Sequence, residues 1–254
     1  MKSKILTTTV LLLSWVSLFT DISSEMLYPV IPMFLASMNY SAAFIGLLEG
    51  VAEFIAGLSK VYFGLWSDKL QRRLPFVRTG YMLSAFAKPL MSLIPSGWWV
   101  LFTRTLDRFG KGVRTASRDA MLSEEATPET KGRVFGFHRS MDTLGAAIGP
   151  AIALVFLWFY PNQYKWLFIA ALIPGLITLF FLFRLKEKKK DTQDSTKKVS
   201  FFSFFSYIKH SSTSYRLLIT GLLLFALFNS SDMFLLLKAK ELNLNLPSVN
   251  GFEA

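Results

Sequence analysis

Seven long apolar runs alternate with polar loops along this chain of 254 residues. A helix needs about 20 mostly apolar residues to cross a bilayer, and lipid tolerates neither open sheet edges nor exposed irregular backbone. With 52% hydrophobic residues and 25 Phe, the chain is also more apolar than an ordinary soluble domain. These observations predict an all-α integral membrane protein. The runs cover residues 7–37, 42–66, 76–94, 97–117, 133–158, 164–184 and 214–238.

The loops carry positive charge on one side of the predicted membrane. Lys and Arg residues lie in the loops 67–75, 118–132 and 185–213, whereas the opposite side offers only Lys165. Under the positive-inside rule, the N-terminus and the cationic loops of this multi-pass membrane protein are cytoplasmic. The net charge of +11 therefore reflects topology, and no nucleic-acid partner is predicted.

Ionisable residues inside the runs are the candidate functional residues, because each is costly in hydrocarbon and usually faces a cavity or a partner. Asp21 and Glu25 lie four residues apart and share one face of the first helix, and Glu49 and Glu53 repeat that spacing on the second. A carboxyl group in a low-dielectric cavity can load and release a proton near neutral pH. The predicted proton-coupling residues are Asp21, Glu25, Glu53 and Asp142.

Charges on the fourth, fifth and seventh runs form a second set. At about 1.5 Å per residue, those of the fourth and fifth runs come close to the midplane of a core about 30 Å thick. The predicted substrate-binding residues are Asp107, Arg104, Arg108, Arg139 and Asp232.

Other interpretations of these charges stay open. They could pair with one another, Asp107 with Arg139 or Glu53 with Arg108, and only fix the packing of the helices. The cations could instead attract an anionic substrate. His138 could relay protons, but a metal site is not predicted, because the chain has 2 His and no Cys.

Prolines and glycines interrupt several runs. Proline frees backbone carbonyls and permits kinks in membrane helices, and glycines four residues apart allow helices to approach closely. The predicted helix-bend residues are Pro29, Pro32, Gly145, Gly149 and Pro150.

A short internal repeat indicates duplication. Residues 23–27 (Ser-Ser-Glu-Met-Leu) recur as residues 230–234 (Ser-Ser-Asp-Met-Phe), on either side of a long polar segment. We therefore predict three parts. They are a six-helix transmembrane bundle at 1–184, a cytoplasmic linker with an interfacial helix at 185–213, and a seventh helix that starts a second half at 214–254.

The turn after the second run has a glycine at the end of the apolar run, an aspartate four residues on, and three cations close behind. It resembles the signature of the major facilitator superfamily between helices two and three, with Gln71 replacing the usual glycine. The resemblance implies that this turn forms a cytoplasmic latch with the opposite half of the fold. The latch residues are Gly64, Asp68, Lys69, Arg72 and Arg73.

Three further motifs are similar to that family. Residues 29–32 (Pro-Val-Ile-Pro) resemble the first-helix motif of its drug:proton antiporter branch. On the fourth helix Arg104 fits the usual arginine, but Arg108 replaces a glycine, and the run 107–120 resembles a poorly characterised bacterial branch.

The fifth-helix antiporter motif is the third similarity. Gly145, Gly149 and Pro150 match it, although Ala153 and Leu154 stand where two further glycines are usual. This motif favours export, so the resemblance implies a proton-coupled exporter of a small organic molecule that needs no cofactor beyond the proton gradient. An importer of organic anions is the alternative within the same fold.

The family fold has two six-helix halves. One half and the first helix of the next are present here, so the resemblance implies a chain truncated after its seventh helix, inactive alone and separated from a C-terminal partner half. Two other classes stay open: a membrane-embedded enzyme using His138, Arg139 and Asp142, and a non-transporting partner subunit. The sequence contains no nucleophile motif or glycine-rich phosphate loop that would favour an enzyme.

Overall fold

A computed structural model describes residues 6–187 and 210–228, together with the single positions 208, 234, 235, 238 and 242. Within these residues the chain forms helices joined by short turns, with no strand, which confirms the all-α prediction. The helices are α1 (Thr8–Glu25), α2 (Val30–Ser37), α3 (Ala42–Leu70), α4 (Leu74–Leu90), α5 (Gly97–Glu124), α6 (Lys131–Phe159), α7 (Tyr164–Ala170), α8 (Leu172–Phe183) and α9 (Thr213–Phe228).

The helices follow the apolar runs, with differences in length. Of the described residues, 4 helical stretches are long and apolar enough to cross a membrane: Thr8–Ser37, Ala42–Leu70, Lys131–Phe159 and Tyr164–Phe183. α4 has only 17 residues, α5 carries many charges, and α9, as far as the structure describes the run 214–238 continuously, has 16 residues. Residues 188–207, which hold most of the predicted linker, and Asp232 lie outside the described residues.

Local sequence accounts for the helix ends. The hydroxyls of Thr7 and Ser41 accept hydrogen bonds from backbone N–H groups in the first turns of α1 and α3, at 3.3 Å in both cases. The break between α1 and α2 ends at Pro29, which lacks a backbone N–H group to donate. Pro32 lies in the first turn of α2, where proline is tolerated, whereas Pro150 lies inside α6, which continues past it.

The helices pack in two groups. α5 lies between α3 and α4, while α1 packs against α6 and α8, and contacts between α4 and α8 join the groups. One apolar cluster, which includes Ile31, Leu48 and Phe168, fills one end of the bundle. A second cluster, which includes Leu13 and Val77, fills the other end. Between membrane helices the attraction comes from close van der Waals packing rather than from removal of apolar surface from water, and the two clusters supply that packing on either side of a polar middle.

Glycines set the distance between α6 and α1. A Cβ atom added to Gly145 would lie 2.6 Å from the carbonyl oxygen of Leu18, and one added to Gly149 would lie 2.7 Å from the backbone nitrogen of Met26. Both contacts are with backbone, which cannot rotate away as a side chain could. The two glycines therefore permit a close crossing at the height of Asp21.

Replacing one of these glycines should destabilise the bundle. We expect Gly149→Ala to lower stability by about 1–3 kcal/mol, the usual cost of an overpacked contact. The matched control is Gly136→Ala in the same helix, where nothing lies within 4 Å of the added Cβ. Because alanine is the better helix former by about 1 kcal/mol, the control should be neutral or slightly stabilising. Thermal unfolding in detergent measures both, and equal melting temperatures would contradict the close crossing.

Candidate functional site

A cluster of paired charges lies between α3, α4 and α5. Its central side chain, Arg104, is 1% exposed and donates to Glu49 from Nη2 at 2.9 Å and from Nε at 3.2 Å. Such bidentate pairing is the strongest arrangement for a buried guanidinium and carboxylate. We call this group the Arg104 cluster, and its members are Glu49, Glu53, Lys88, Arg104, Asp107 and Arg108.

Arg108 extends the cluster along α3. Its Nη2 lies 3.3 Å from Glu49 Oε1, and its Nε lies 3.1 Å from Glu53 Oε1. The side chain of Glu53 is 54% exposed, whereas that of Glu49 is 8% exposed. Arg108 therefore joins a buried carboxylate to one at the surface of the bundle.

Asp107 connects the cluster to α4. Its Oδ2 lies 3.5 Å from Arg104 Nη1, its Oδ1 lies 3.9 Å from Lys88 Nζ, and Ser84 donates a hydrogen bond to Oδ1. Three carboxylates and three cations thus neutralise one another in a region where an uncompensated charge would be costly.

Of the two ion pairs considered from the sequence, the structure contains one and replaces the other. Glu53 does pair with Arg108, but Asp107 pairs with Arg104 and Lys88 rather than with Arg139. The Arg139 side chain is 81% exposed and approaches Asp142 of its own helix at 3.7 Å. An arginine at i and an aspartate at i+3 lie on neighbouring faces of one helix, so this pair forms locally.

A second group of ionisable residues lies where α1 crosses α6. Asp21 packs against α6. Its Cβ lies 3.0 Å from the position that a Cβ on Gly145 would take, and Gly145 lies about one turn after Asp142 in α6. Asp21 interacts electrostatically with Asp142 and with Arg118 of α5. We call Asp21, His138 and Asp142 the α1–α6 group, and it brings two of the predicted proton-coupling residues together.

His138 and Asp142 are buried side by side, at 3% and 7% exposure. His138 Nε2 lies 3.7 Å from Asp142 Oδ1, which is too long for a hydrogen bond, and His138 Nδ1 lies 3.4 Å from Ser14 Oγ. Among the described residues, Nε2 and Oδ1 have no hydrogen-bond partner. A small movement of either side chain would bring the imidazole and the carboxylate within hydrogen-bond distance of each other.

Glu25, also a predicted proton-coupling residue, lies outside both the Arg104 cluster and the α1–α6 group. Glu25 ends α1, half-buried, with its backbone beside Gly149. Sequence reasoning did not place Lys88 or Glu49 among the site residues, although both are ionisable residues inside apolar runs, the signal that selected the others. In the part of the chain that the structure describes, no group of three His, Asp or Glu side chains could hold a metal ion.

The turn between α3 and α4 closes with an unusual residue. Gln71 has φ 51°, in the left-handed region, which explains why glycine is usual at this position. Arg73 Nη1 lies 2.7 Å from Asp68 Oδ1, and Arg73 Nε lies 2.9 Å from Glu124 Oε1 at the end of α5. The turn is thereby tied to two helix ends.

The remaining predicted latch residues surround this pair. Lys69 and Arg72 have exposed side chains, and a Cβ on Gly64 would lie 2.9 Å from the Cβ of Ala116 on α5. Glu187, beyond α8, accepts hydrogen bonds from the backbone N–H groups of Arg73 and Leu74 and so caps α4.

Apolar helices that bury balanced charges in the middle of the bundle are typical of multi-pass membrane transporters. The pattern of the Major Facilitator Superfamily matches residues 13–252, and the chain belongs to that family. Members of the family are secondary transporters and not enzymes, so the membrane-enzyme alternative with His138, Arg139 and Asp142 is excluded.

Known proteins resemble the chain to different degrees. An uncharacterised MFS-type transporter of Methanocaldococcus jannaschii is 36% identical over 232 residues, which are 91% of this chain and 56% of that protein. A multidrug resistance protein, MdtH, of an Enterobacter species is 26% identical over 139 residues, 54% of this chain and 34% of that protein. The chain thus spans about half the length, or less, of these relatives.

Among solved structures, an inward-facing, occupied bacterial homologue of the human lysosomal transporter Spinster is similar, with a TM-score of 0.62. Its sequence is 16% identical, and the match covers 78% of this chain and 48% of that one. At this identity the likeness shows the fold alone.

Proposed function

We propose that this chain forms the N-terminal half of a proton-coupled secondary transporter that exports a small organic molecule by alternating access. The observation that carries the proposal is the α1–α6 group. Asp21 and Asp142 lie on the two helices of a close crossing, Asp142 beside a buried histidine, in the polar middle of the bundle. Two interacting carboxyl groups cannot both ionise easily in a low-dielectric site, so a proton can be held there and released when the site opens to water.

The Arg104 cluster supports export over the organic-anion importer. The cations that would attract an anion, Arg104 and Arg108, already share Glu49, and Arg108 also contacts Glu53. An anionic substrate would have to displace these carboxylates. The name of the Enterobacter relative, a multidrug resistance protein, points in the same direction.

The proposed organisation follows the sequence. Residues 1–184 form the N-terminal bundle, 185–213 a cytoplasmic linker and 214–254 the start of a C-terminal half that completes the substrate path. The N-terminus and the latch turn face the cytoplasm across the inner membrane, as the distribution of cations favours.

The direction of transport can be tested in energised right-side-out vesicles that contain the transporter with both halves. The probes are one organic cation, one anion and one neutral molecule: ethidium, benzoate and xylose. Export predicts that a probe is depleted from the lumen when a proton gradient, acid outside, is imposed. Accumulation of benzoate in the lumen beyond the passive weak-acid uptake seen in vesicles without the transporter would instead favour the importer.

The latch turn gives a separate prediction. Asp68→Asn removes one charge of the 2.7 Å pair with Arg73 and leaves the interior unchanged. We expect the turnover rate to fall on the order of tenfold while the apparent affinity for substrate stays within about twofold, because a conformational step slows and binding does not. Transport kinetics at several substrate concentrations separate the two, and a loss confined to affinity would contradict the latch role.

A further inference from the structure

The chain leaves α8 against the first turns of α4. Leu185 is 1% exposed and belongs to the second apolar cluster, which also contains Leu74 of α4. Arg78 Nη2 donates to the carbonyl oxygen of Leu185 at 3.0 Å, and the Arg78 guanidinium carbon lies 5.6 Å from the centre of the Phe183 ring. We call residues 183–187 the α8 exit. Both apolar and polar contacts fix it to α4.

Glu187, the last residue of the α8 exit, lies at the N-terminus of α4. Its Oε1 accepts hydrogen bonds from the backbone N–H groups of Arg73 and Leu74, the latter at 3.2 Å. The side chain of Arg73, the N-cap residue, makes no capping hydrogen bond, and Pro75 has no N–H group. A carboxylate is favoured at this place, because the N-terminus of a helix carries a partial positive charge. Glu187 thus supplies a cap that the local sequence lacks.

Arg73 is held through its backbone and through its side chain. Glu187 accepts from its N–H group, while its guanidinium lies 2.7 Å from Asp68 at Nη1 and 2.9 Å from Glu124 at Nε. The Arg73 side chain is only 14% exposed. Because a guanidinium pairs with carboxylates in a fixed geometry, a shift of the Arg73 backbone would disturb both ion pairs. This one residue therefore connects the α8 exit with the latch turn and with the end of α5.

We propose that Glu187 is a positioning residue of the latch, which holds the Arg73 backbone so that the guanidinium lies between Asp68 and Glu124. The linker proposed to join the two halves begins within the α8 exit. A movement of the second half therefore reaches the latch turn through Glu187 as well as by direct contact. This inference rests on the proposed role of the turn in transport, but the hold of Glu187 on Arg73 can be measured without transport.

The first measurement is hydrogen–deuterium exchange of the peptide 70–78 in the transporter with both halves. Glu187→Ala removes the acceptor, so the amides of Arg73 and Leu74 should exchange on the order of 10- to 100-fold faster. Glu187→Gln keeps an oxygen at the same reach without the charge, and its effect should be intermediate. The matched control is Lys186→Ala, an exposed neighbour in the α8 exit, which should exchange like the wild type. Unchanged exchange in Glu187→Ala would overturn the inference.

Transport kinetics separate positioning from a cap that only stabilises α4. A positioning role predicts that Glu187→Ala lowers turnover on the order of tenfold and leaves the apparent affinity within about twofold, as expected for Asp68→Asn. The two changes combined should be no slower than Asp68→Asn alone, to within about twofold, because both act through Arg73. Unchanged turnover in Glu187→Ala, or losses that multiply in the double variant, would show a purely structural cap. If Glu187→Ala does not fold, Glu187→Gln serves in the same comparison with a smaller expected loss.

The two proposals fail in distinguishable ways. Absence of proton-driven export in the wild type would refute the proposed function, whereas the exchange rates would still report the hold of Glu187 on Arg73. Proton-driven export together with unchanged exchange in Glu187→Ala would refute the inference alone.

Discussion

Proton-driven transport is expected to be lost in the variant Asp21→Asn, while exchange of substrate across the membrane continues. Asparagine keeps the size of the side chain and its place at the α1–α6 crossing but cannot bind or release a proton. The rate of uphill transport should fall on the order of 100-fold, which is typical of losing a positioned proton-transfer group. Exchange requires no net proton movement, so it should remain within about twofold of the wild type.

The two rates are measured in the same proteoliposomes, with and without an imposed pH gradient. Glu129→Gln serves as the control, because Glu129 is exposed in the turn before α6, about three helical turns before Asp142. Unchanged uphill transport by Asp21→Asn would remove this residue from the proton pathway. Loss of both rates would indicate a structural role.

The second large effect concerns stability and centres on Glu49. Glu49→Gln leaves Arg104 and Arg108 without their shared buried carboxylate, and removing one partner of a buried pair costs about 3–5 kcal/mol. Glu53 provides a matched control on the same helix, one turn away, with the same partner Arg108. Because its side chain is 54% exposed, Glu53→Gln should cost less than about 1 kcal/mol.

Unfolding by heat or denaturant in detergent compares the two variants. A further variant, Glu49→Gln combined with Arg104→Gln, removes both central charges and should recover part of the lost stability. Equal destabilisation by Glu49→Gln and Glu53→Gln would show that burial of the pair has little energetic consequence. In that case the Arg104 cluster would not be a structural element.

Much of the fold could be predicted from the sequence, because the membrane leaves helices as nearly the only solution for long apolar runs. The apolar runs predicted the approximate positions of the helices, and the predicted bend residue Pro29 lies at the break between α1 and α2. α5 is different, since its charges follow one side of a helix whose partners lie on α3 and α4. Its start and its charge pattern could be predicted, but the helix extends past the predicted end at residue 117 to Glu124, and the partner of each charge could not be predicted.

The pairing errors have a physical origin. Depth in the membrane placed Asp107 and Arg139 at similar heights, but depth does not tell which way a side chain points. Arg139 points away from the interior, while Gly80 and Gly110 bring α4 close enough for Lys88 to reach Asp107. Lys88 was missed because no other charged residue lies within one helical turn of it in the sequence.

In the latch turn, too, the long-range contacts could not be predicted from the sequence. The sequence placed Gln71 where glycine is usual, and its left-handed backbone follows from that position. The contacts of Arg73 with Glu124 and of Glu187 with the start of α4 join segments more than 50 residues apart, since Glu124 lies 51 residues from Arg73. Local pattern carries no information about such contacts.

The most direct test of the central claim is the pH of the lumen during transport. Proteoliposomes containing the transporter with both halves and a luminal pH-sensitive dye are loaded with ethidium, benzoate or xylose and then diluted into probe-free buffer. Antiport predicts that the lumen becomes acidic as the exported probe leaves, in either orientation of the protein, and that Asp21→Asn abolishes the change. The change in protein-free liposomes, which includes passive loss of benzoic acid, is subtracted from each trace. After this subtraction, an alkaline shift, which requires protons to leave with the probe, or probe efflux with no pH change in the wild type would contradict proton-coupled export.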